Sequence, residues 1–414
     1  MDVERFKDSP CGALVPFRGT DGRTGLPFDH FAYVADPLGG EPPLAPETWH
    51  RVTAAHRALA RLDQASRQVP SPVLLRSPTL RREAQSTSAL EGTFAPLDQV
   101  LAAESVPDES RTLELREVLN YVEAAEGAFQ WIATHPRVTV GLLENVHKIL
   151  VRGTRSDTED AGRIRHGSVA IGSPTGTVED ARFVPMPPGT ALAAAVQQLV
   201  DWMSGSGPRD PLVAAAMTHY QFETLHPFND GNGRIGRLLI VLQFMVSGLV
   251  TEPLLSVSPW FEARRQEYQE HLAEVSASGD WDSWVCFFSR GVEESAVDTA
   301  RRVDRLLAVQ RRYVAALQEL GARGAVRDIA ELLIGSPWVT VPRLVSTLRK
   351  THPAVNTAVM KLVELGILTG PFGTRNRHFV AQDVWETLSA PMGRVRDPSD
   401  PIRRERPVEG ARET

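Results

Sequence analysis

Twelve residues, His226-Pro-Phe-Asn-Asp-Gly-Asn-Gly-Arg-Ile-Gly-Arg237, join two segments of helical spacing, Pro211–Leu225 and Arg234–Val246. The longest apolar run of the chain, Leu238 to Val250, falls largely within the second and is interrupted by Gln243, Ser247 and Gly248. It is too short to cross a bilayer, so it predicts a helix buried inside a folded protein. A polar loop fixed between two such helices must find partners for its charges in the interior. That requirement limits both the fold around it and what the loop can do.

The remaining sequence favours helices as well. Trp49, Val52, Ala55, Leu59 and Leu62 recur at helical spacing from Pro46 onward. A second segment follows Pro78 through Leu80, Ala84 and Ser88 to Glu91, with Gly92 as its stop. Leu113–Trp131, Val140–Val151 and Ala191–Ser204 read as amphipathic helices, and further helices are expected at Pro259–Ser276, Trp281–Ala296 and Asp298–Leu320. Ser168–Ile171 and Arg182–Pro185 are short strand-like pieces around the turn-rich Gly172–Thr177, which predicts a hairpin. Residues 1–45 are rich in Pro and Gly and read as an extended or loop-like segment. No internal repeat is visible.

The pattern changes after residue 320. Val326–Leu333, Pro342–Leu348 and Ala354–Leu365 are short helical patterns, followed by Gly366–Thr369, a basic turn over Phe372–Arg377, and His378–Ala381. Three helices and a two-strand wing predict a winged-helix domain. Residues 391–414 carry Pro and charge with few apolar side chains, and are expected to be a disordered tail. The expected fold is mainly α, a helical core with a small β-hairpin flap plus the C-terminal winged helix. Its divisions are 1–45, 46–110, 111–320, 321–390 and 391–414.

Composition excludes several classes. The 414 residues suffice for two or three domains, and 42% hydrophobic with 23% charged content is that of an ordinary globular protein. A net charge of −6 gives no global attraction to nucleic acid or an anionic membrane. The two cysteines, Cys11 and Cys286, make no disulfide framework and have no zinc spacing around them. The charged start, Met-Asp-Val-Glu-Arg-Phe-Lys-Asp, lacks the apolar core of a signal peptide. These features place the expectation in the cytoplasm, with no membrane partner.

The loop itself combines parts that are separately ordinary. Glycines let backbone N–H groups converge, and the following helix N-terminus adds its positive dipole, which makes an anion site. Arg234 and Arg237 add two permanent charges with forked donors suited to phosphate. Asp230 would repel such a ligand unless a cation lies between them, and Mg²⁺ is the natural choice. His226 supplies a base able to take a proton from a hydroxyl. Base, metal ligand, anion nest and cationic clamp together describe phosphoryl or nucleotidyl transfer. No Walker-type Gly-x-x-x-x-Gly-Lys-[Ser/Thr] stretch is present.

His226-x-Phe228-x-Asp230-Gly231-Asn232-Gly233-Arg234-x-x-Arg237 resembles the signature of the Fic family of protein adenylyltransferases. The resemblance implies His226 as the base, Asp230 as the Mg²⁺ ligand and Phe228 as a core anchor. It implies a phosphate hole at Gly231, Asn232 and Gly233, with Arg234 and Arg237 binding the triphosphate and Gly236 in the nucleotide site. Thr87-x-x-x-Glu91-Gly92 resembles the family's inhibitory helix, whose glutamate pairs with the second arginine, here Arg237, and blocks the γ-phosphate. Val169, Ile171, Phe183 and Val184 would form the flap that aligns a target by β-augmentation. Leu26 through Leu101 resembles the N-terminal region of members that carry the inhibitory helix ahead of the core. Tyr268 would lie near the base, but Arg264 stands where an Asn is common, which opens the identity of the nucleotide.

The implied activity is transfer of AMP from ATP to a Ser, Thr or Tyr hydroxyl of a target protein, with Mg²⁺ and with restraint by Glu91. Alternatives are a nucleotide-sensing DNA-binding regulator, a member that uses another nucleotide, and one that removes AMP. Self-modification, a homodimer and DNA bound through the winged helix stay open as partners. For DNA, Asn356, Thr357 and Lys361 would sit on the recognition helix, with Arg349, Lys350, Arg375, Arg377 and His378 around it. Glu364 and Asp383 dilute that patch, which favours docking of a protein instead.

Overall fold

The computed structural model describes the chain except residues 21–24, 68–71, 104–110, 206, 374–376 and 398–414. Arg375 of the expected wing and the end of the expected tail therefore lie outside the described residues. The fold is mainly α-helical with little sheet.

A one-turn helix α1 (Val3–Phe6) precedes strands β1 (Gly12–Thr20) and β2 (Pro27–Ala35), which pair antiparallel from Gly12↔Ala35 to Thr20↔Pro27. The loop-like reading of residues 1–45 thus gives way to a hairpin. Its Pro16 and Gly19 hid the strand, and a two-stranded sheet has only edges, where proline is tolerated. There follow α2 (Pro46–Arg67), α3 (Pro72–Leu90), α4 (Leu97–Ala102), α5 (Leu113–Thr134), α6 (Val140–Val151) and α7 (Thr190–Ser204). Helix α3 starts before Pro78 and carries it inside. A proline there leaves the carbonyl four residues back without its donor. That carbonyl is Leu74's, and Gly335 packs so closely over it that a Cβ would collide.

Helices α8 (Pro211–Leu225) and α9 (Asn232–Val246) bracket the loop as expected. Then come α10 (Ser258–Glu262), α11 (Arg265–Ser278) and the 39-residue α12 (Trp281–Glu319). One helix expected over 259–276 is broken between Ala263 and Arg264. Two helices expected over 281–320 are one. Asp298, an ordinary helix-start signal, instead lies buried inside α12 and bonds Arg302 at 2.8 Å.

The chain continues through α13 (Ala325–Leu332), β3 (Trp338–Thr340), α14 (Val341–Leu348), α15 (His352–Glu364), β4 (Thr369–Phe372), β5 (His378–Val380) and α16 (Gln382–Ser389). The strands form a sheet in the order β3-β5-β4. The expectation held no α16 and no β3, the latter too short to show a period.

Two cores flank α8 and α9. One gathers α2, α12 and residues of the C-terminal elements around Trp260, Trp284 and Phe288, and the other gathers α3, α5, α6 and α7 around Phe129, Leu150 and Phe222. Helices α8 and α9 are buried on nearly every side, as their all-round apolar character requires. The C-terminal elements are tied to α12 by Arg302, whose guanidinium donates to the carbonyls of Thr387, Leu388, Ala390 and Pro391. Gly393 N donates to Asp298 at 2.8 Å, so the segment expected to be unstructured from residue 391 is still packed against α12. Its polar composition concealed this, because the bonds are made by its backbone. Arg302→Leu leaves Asp298 without its nearest cation, and is expected to lower the stability of the fold by about 3–5 kcal/mol, read as a lower urea midpoint at unchanged slope.

Candidate active site

His226 ends α8 in the left-handed conformation, φ 49°, which turns the chain into the loop. A buried arginine that sequence reading passed over holds this turn. Arg165 donates through Nε to the His226 carbonyl at 2.8 Å, and through its other nitrogens to Gly167, Met186 and Leu225 carbonyls. The His226 ring nitrogen Nδ1 lies 3.2 Å from the Glu223 carbonyl. A carbonyl only accepts, so Nδ1 carries the proton and Nε2 keeps its lone pair. Burial, with Arg165 nearby, pulls the imidazole down to about 4, so it is neutral at neutral pH.

Phe228 anchors the loop in the core, stacked on His147 at 4.2 Å. Asn232 grips its backbone twice, accepting from Phe228 N at 2.9 Å and donating to Phe228 O at 2.8 Å. The Asn232 side chain is therefore spent on the loop, and what the start of α9 offers an anion is main-chain N–H. Gly231, φ 78°, adopts a conformation open to glycine and presses against Leu150. The Asp230 carboxylate accepts from Ser156 Oγ at 2.6 Å, Gly231 N at 2.6 Å and Arg234 at 3.2 Å. Burial would raise this carboxyl, but Arg234 and those hydrogen bonds outweigh it and hold it below the ordinary value.

The second arginine is engaged elsewhere. Arg237 is 1% exposed; its Nε donates to Thr87 Oγ1 at 2.7 Å, and its Nη2 to Thr87 O at 3.1 Å and Glu91 Oε1 at 2.6 Å. Glu91 also stands directly over Gly233, where a Cβ would collide with its carboxylate oxygen. Gly236 likewise leaves room for Glu223. Arg234 is shared between Asp230 and Glu117, the latter at 3.7 Å.

A cavity of about 290 Å³ opens beside these groups. Glu91, His226 and Arg237 line it, together with residues 171–172, residues 182–183 and residues of α11. Ile171 and Phe183 are joined by a single β-bridge rather than a hairpin ladder; Val169 is half-buried and Val184 buried. The second edge of this piece is already paired, Tyr33 N donating to Val184 O at 2.8 Å. Tyr268 lines the cavity, and its hydroxyl meets His219 Nε2 at 2.7 Å. Arg264 is absent from the cavity wall. It lies over the Trp260 ring at 4.2 Å and beside Glu294 at 3.5 Å, because the break before α11 turns it outward, and Arg265 and Gln269 line the wall instead.

Residues 49–130 match the Fic/DOC family N-terminal region, and residues 137–244, which hold the whole loop, match the Fic/DOC family. The chain carries a Fic N-terminal region and a Fic domain. A protein adenylyltransferase fic-1 of Caenorhabditis elegans is 27% identical over 220 residues, which are 50% of this chain and 39% of that protein. A protein adenylyltransferase Fic of Drosophila willistoni is 25% identical over 214 residues, 51% of this chain and 37% of that one. The chain thus spans about two fifths of the length of these curated relatives. Among solved structures, a Fic family protein from Desulfovibrio desulfuricans G20 shares the fold at a TM-score of 0.55 and 23% identity, covering 83% of this chain and 98% of that one. Among the described residues no helix is long and apolar enough to cross a membrane, and no group of three or more metal-binding side chains is found.

Glu223 is the Fic-site residue that sequence reading missed. It is the one acid within α8, three residues before His226, and that placement was the available signal. Its Oε1 is buried without a hydrogen-bond partner, and burial pushes the carboxyl up to about 8, with Arg237 opposing the rise and Glu91 adding to it. A carboxyl neutral in the fold but free to ionise in the unfolded chain costs stability as pH rises from its unfolded value of 4.5, with the full loss reached near 8. Glu223→Gln is therefore expected to melt above the parent protein at pH 8, with the gap closing below pH 4.5. Imidazole NMR should place the His226 titration near pH 4 in the free protein, and a ring titrating near 6.5 would contradict the buried setting.

Proposed function

We propose that this chain transfers AMP from ATP to a hydroxyl group of a target protein, and that Glu91 restrains it. The observation that carries the reading is the position of Glu91, whose carboxylate stands over Gly233 at the start of α9 while it holds Arg237. A helix start flanked by two arginines attracts an anion, and here the protein fills that place with its own.

The residues support the following chemistry. His226 Nε2, with a free lone pair, takes the proton of the incoming hydroxyl, and the oxygen attacks the α-phosphorus. The bond between that phosphorus and the oxygen bridging to the β-phosphate breaks, and pyrophosphate leaves. The N–H groups of Asn232 and Gly233 face the reacting phosphate. Arg234 and Arg237 meet the charge of the leaving group once Glu91 gives up its place. Asp230 and Ser156 present hard oxygen donors, a set that suits Mg²⁺, which takes one or two carboxylates and fills its remaining positions from phosphates and water. The ion would neutralise phosphate charge there. Ile171 and Phe183 line the cavity and pair with each other, so a target segment would be aligned by the outer edge of residues 169–172.

Residues 321–390 are read as a winged helix. Lys350 is paired with Asp328 and Lys361 with Glu364, each at 3.0 Å, which supports protein docking over DNA. Glu91→Gly should raise self-modification with labelled ATP and Mg²⁺ on the order of a hundredfold, the scale of one regained transition-state donor. Adding His226→Ala should then lower it by about 10²–10⁴-fold. Labelling that is unchanged by Glu91→Gly would refute the restraint, and labelling that survives His226→Ala would refute the base.

A further inference from the structure

The matched regions begin at residue 49, yet the cavity is not complete without residues that precede them. Arg5 and Phe6 line it, together with Leu272 and Ala273 of α11. Phe6 is 2% exposed and meets the Phe183 ring edge-on at 5.6 Å and the Tyr33 ring at 5.9 Å. Tyr33 and Phe183 are themselves 5.5 Å apart, so three rings from α1, β2 and the flap form one cluster.

Each part of this cluster is held independently. Tyr33 N bonds the flap at Val184 O, and its hydroxyl meets Ser9 Oγ at 2.8 Å. The end of β2 is tied to α8, where Gln221 Nε2 donates to Asp36 O at 3.0 Å. Arg5 is bonded to Glu270 and Glu274 of α11, which fixes α1 to the wall opposite the flap and neutralises its charge. Pro10 crosses so close to Gly279, φ 73°, that a Cβ there would collide. Through these contacts the N-terminal segment spans from the flap to α11, the two walls between which a ligand must enter.

We propose that the N-terminal segment is a working part of the nucleotide site: α1 is part of its wall, and Phe6 with Tyr33 sets the gap between flap and α11 that accepts a flat heteroaromatic base. The proposal rests on the nucleotide reading given above. The lining is of two kinds. Glu91, His226 and Arg237 are polar or charged and suit a phosphate. Phe6, Phe183, Leu272 and Ala273 are apolar, and Arg5 beside them is already paired with Glu270 and Glu274, so this part of the lining offers contact to a base and little to a phosphate. Phe6 is a positioning residue that acts on the base alone.

The test compares two probes, ATP and inorganic tripolyphosphate, by calorimetric titration of the full-length Glu91→Gly protein with Mg²⁺, and of the same protein carrying Phe6→Ala or Phe6→Leu. Phe6→Ala is expected to weaken ATP binding about tenfold and to leave tripolyphosphate within about twofold, with Phe6→Leu in between. Equal ATP affinity with and without Phe6 overturns the proposal. So does an equal loss for both probes, which would mean that Phe6 only supports the fold. Binding without AMP transfer in Glu91→Gly would count against the transfer reading alone, because the Phe6 effect is read from affinity. Failure of Glu91→Gly to bind ATP would overturn both.

Discussion

The Arg237 guanidinium is where the requirements of this fold meet. A cation that is 1% exposed cannot be left unpaired, because the desolvation penalty of a lone buried charge exceeds what ordinary packing returns. Its partners come from the end of α3, where Thr87 supplies two acceptors, and from the turn just after it, where Glu91 supplies the charge. Docking of α3 against α9 is therefore dictated by electrostatics as much as by the apolar contacts around it. The same pairing places a carboxylate over the start of α9. One interaction thus satisfies the buried arginine and occupies the anion site, and relief of the second leaves the first without its anion. Burial nevertheless pushes Glu223 up to about 8, so the remaining acid beside Arg237 stays neutral until the pH is well above 7.

Helix α3 is also anchored far from the site. Glu83, fully enclosed, takes bonds from Ser256 Oγ, Ser258 N and Ser258 Oγ, which joins α3 to the start of α10. Arg82 lies 3.8 Å from Asp298, the residue that also holds Arg302 and Gly393. At its other end, α3 meets Gly335 through the carbonyl that Pro78 leaves without a donor. The helix that presents Glu91 is continuous with contacts to α12 and to the C-terminal elements.

The loop was legible because its information is local. Anion nest, cationic clamp, carboxylate and base all fall within twelve residues between two apolar helices, and helix boundaries at Val140–Val151 and Pro211–Leu225 follow from period and caps alone. Local reading failed where a residue's role was set by a distant partner. Asp298 carries a helix-start signal, yet its carboxylate is committed to Arg302 and Gly393, so α12 runs through it. Arg264 stands close to Tyr268 in sequence and outside the cavity in space, because the chain breaks just before α11. Asn232 carries an amide that sequence alone offers to phosphate, and the fold spends it on Phe228.

By itself the sequence determined the helical class, the motif from His226 to Arg237, and the facing of Thr87 and Glu91, since each depends on a period of 3.6 residues or on a short turn. Only the tertiary structure decided that Arg165 pins the His226 turn, that Glu223 Oε1 is buried without a hydrogen-bond partner, and that Phe6 lines the same cavity as a histidine more than two hundred positions later. No periodicity records such contacts. They arise when buried charges and rings from separate elements must satisfy one another in the same small volume.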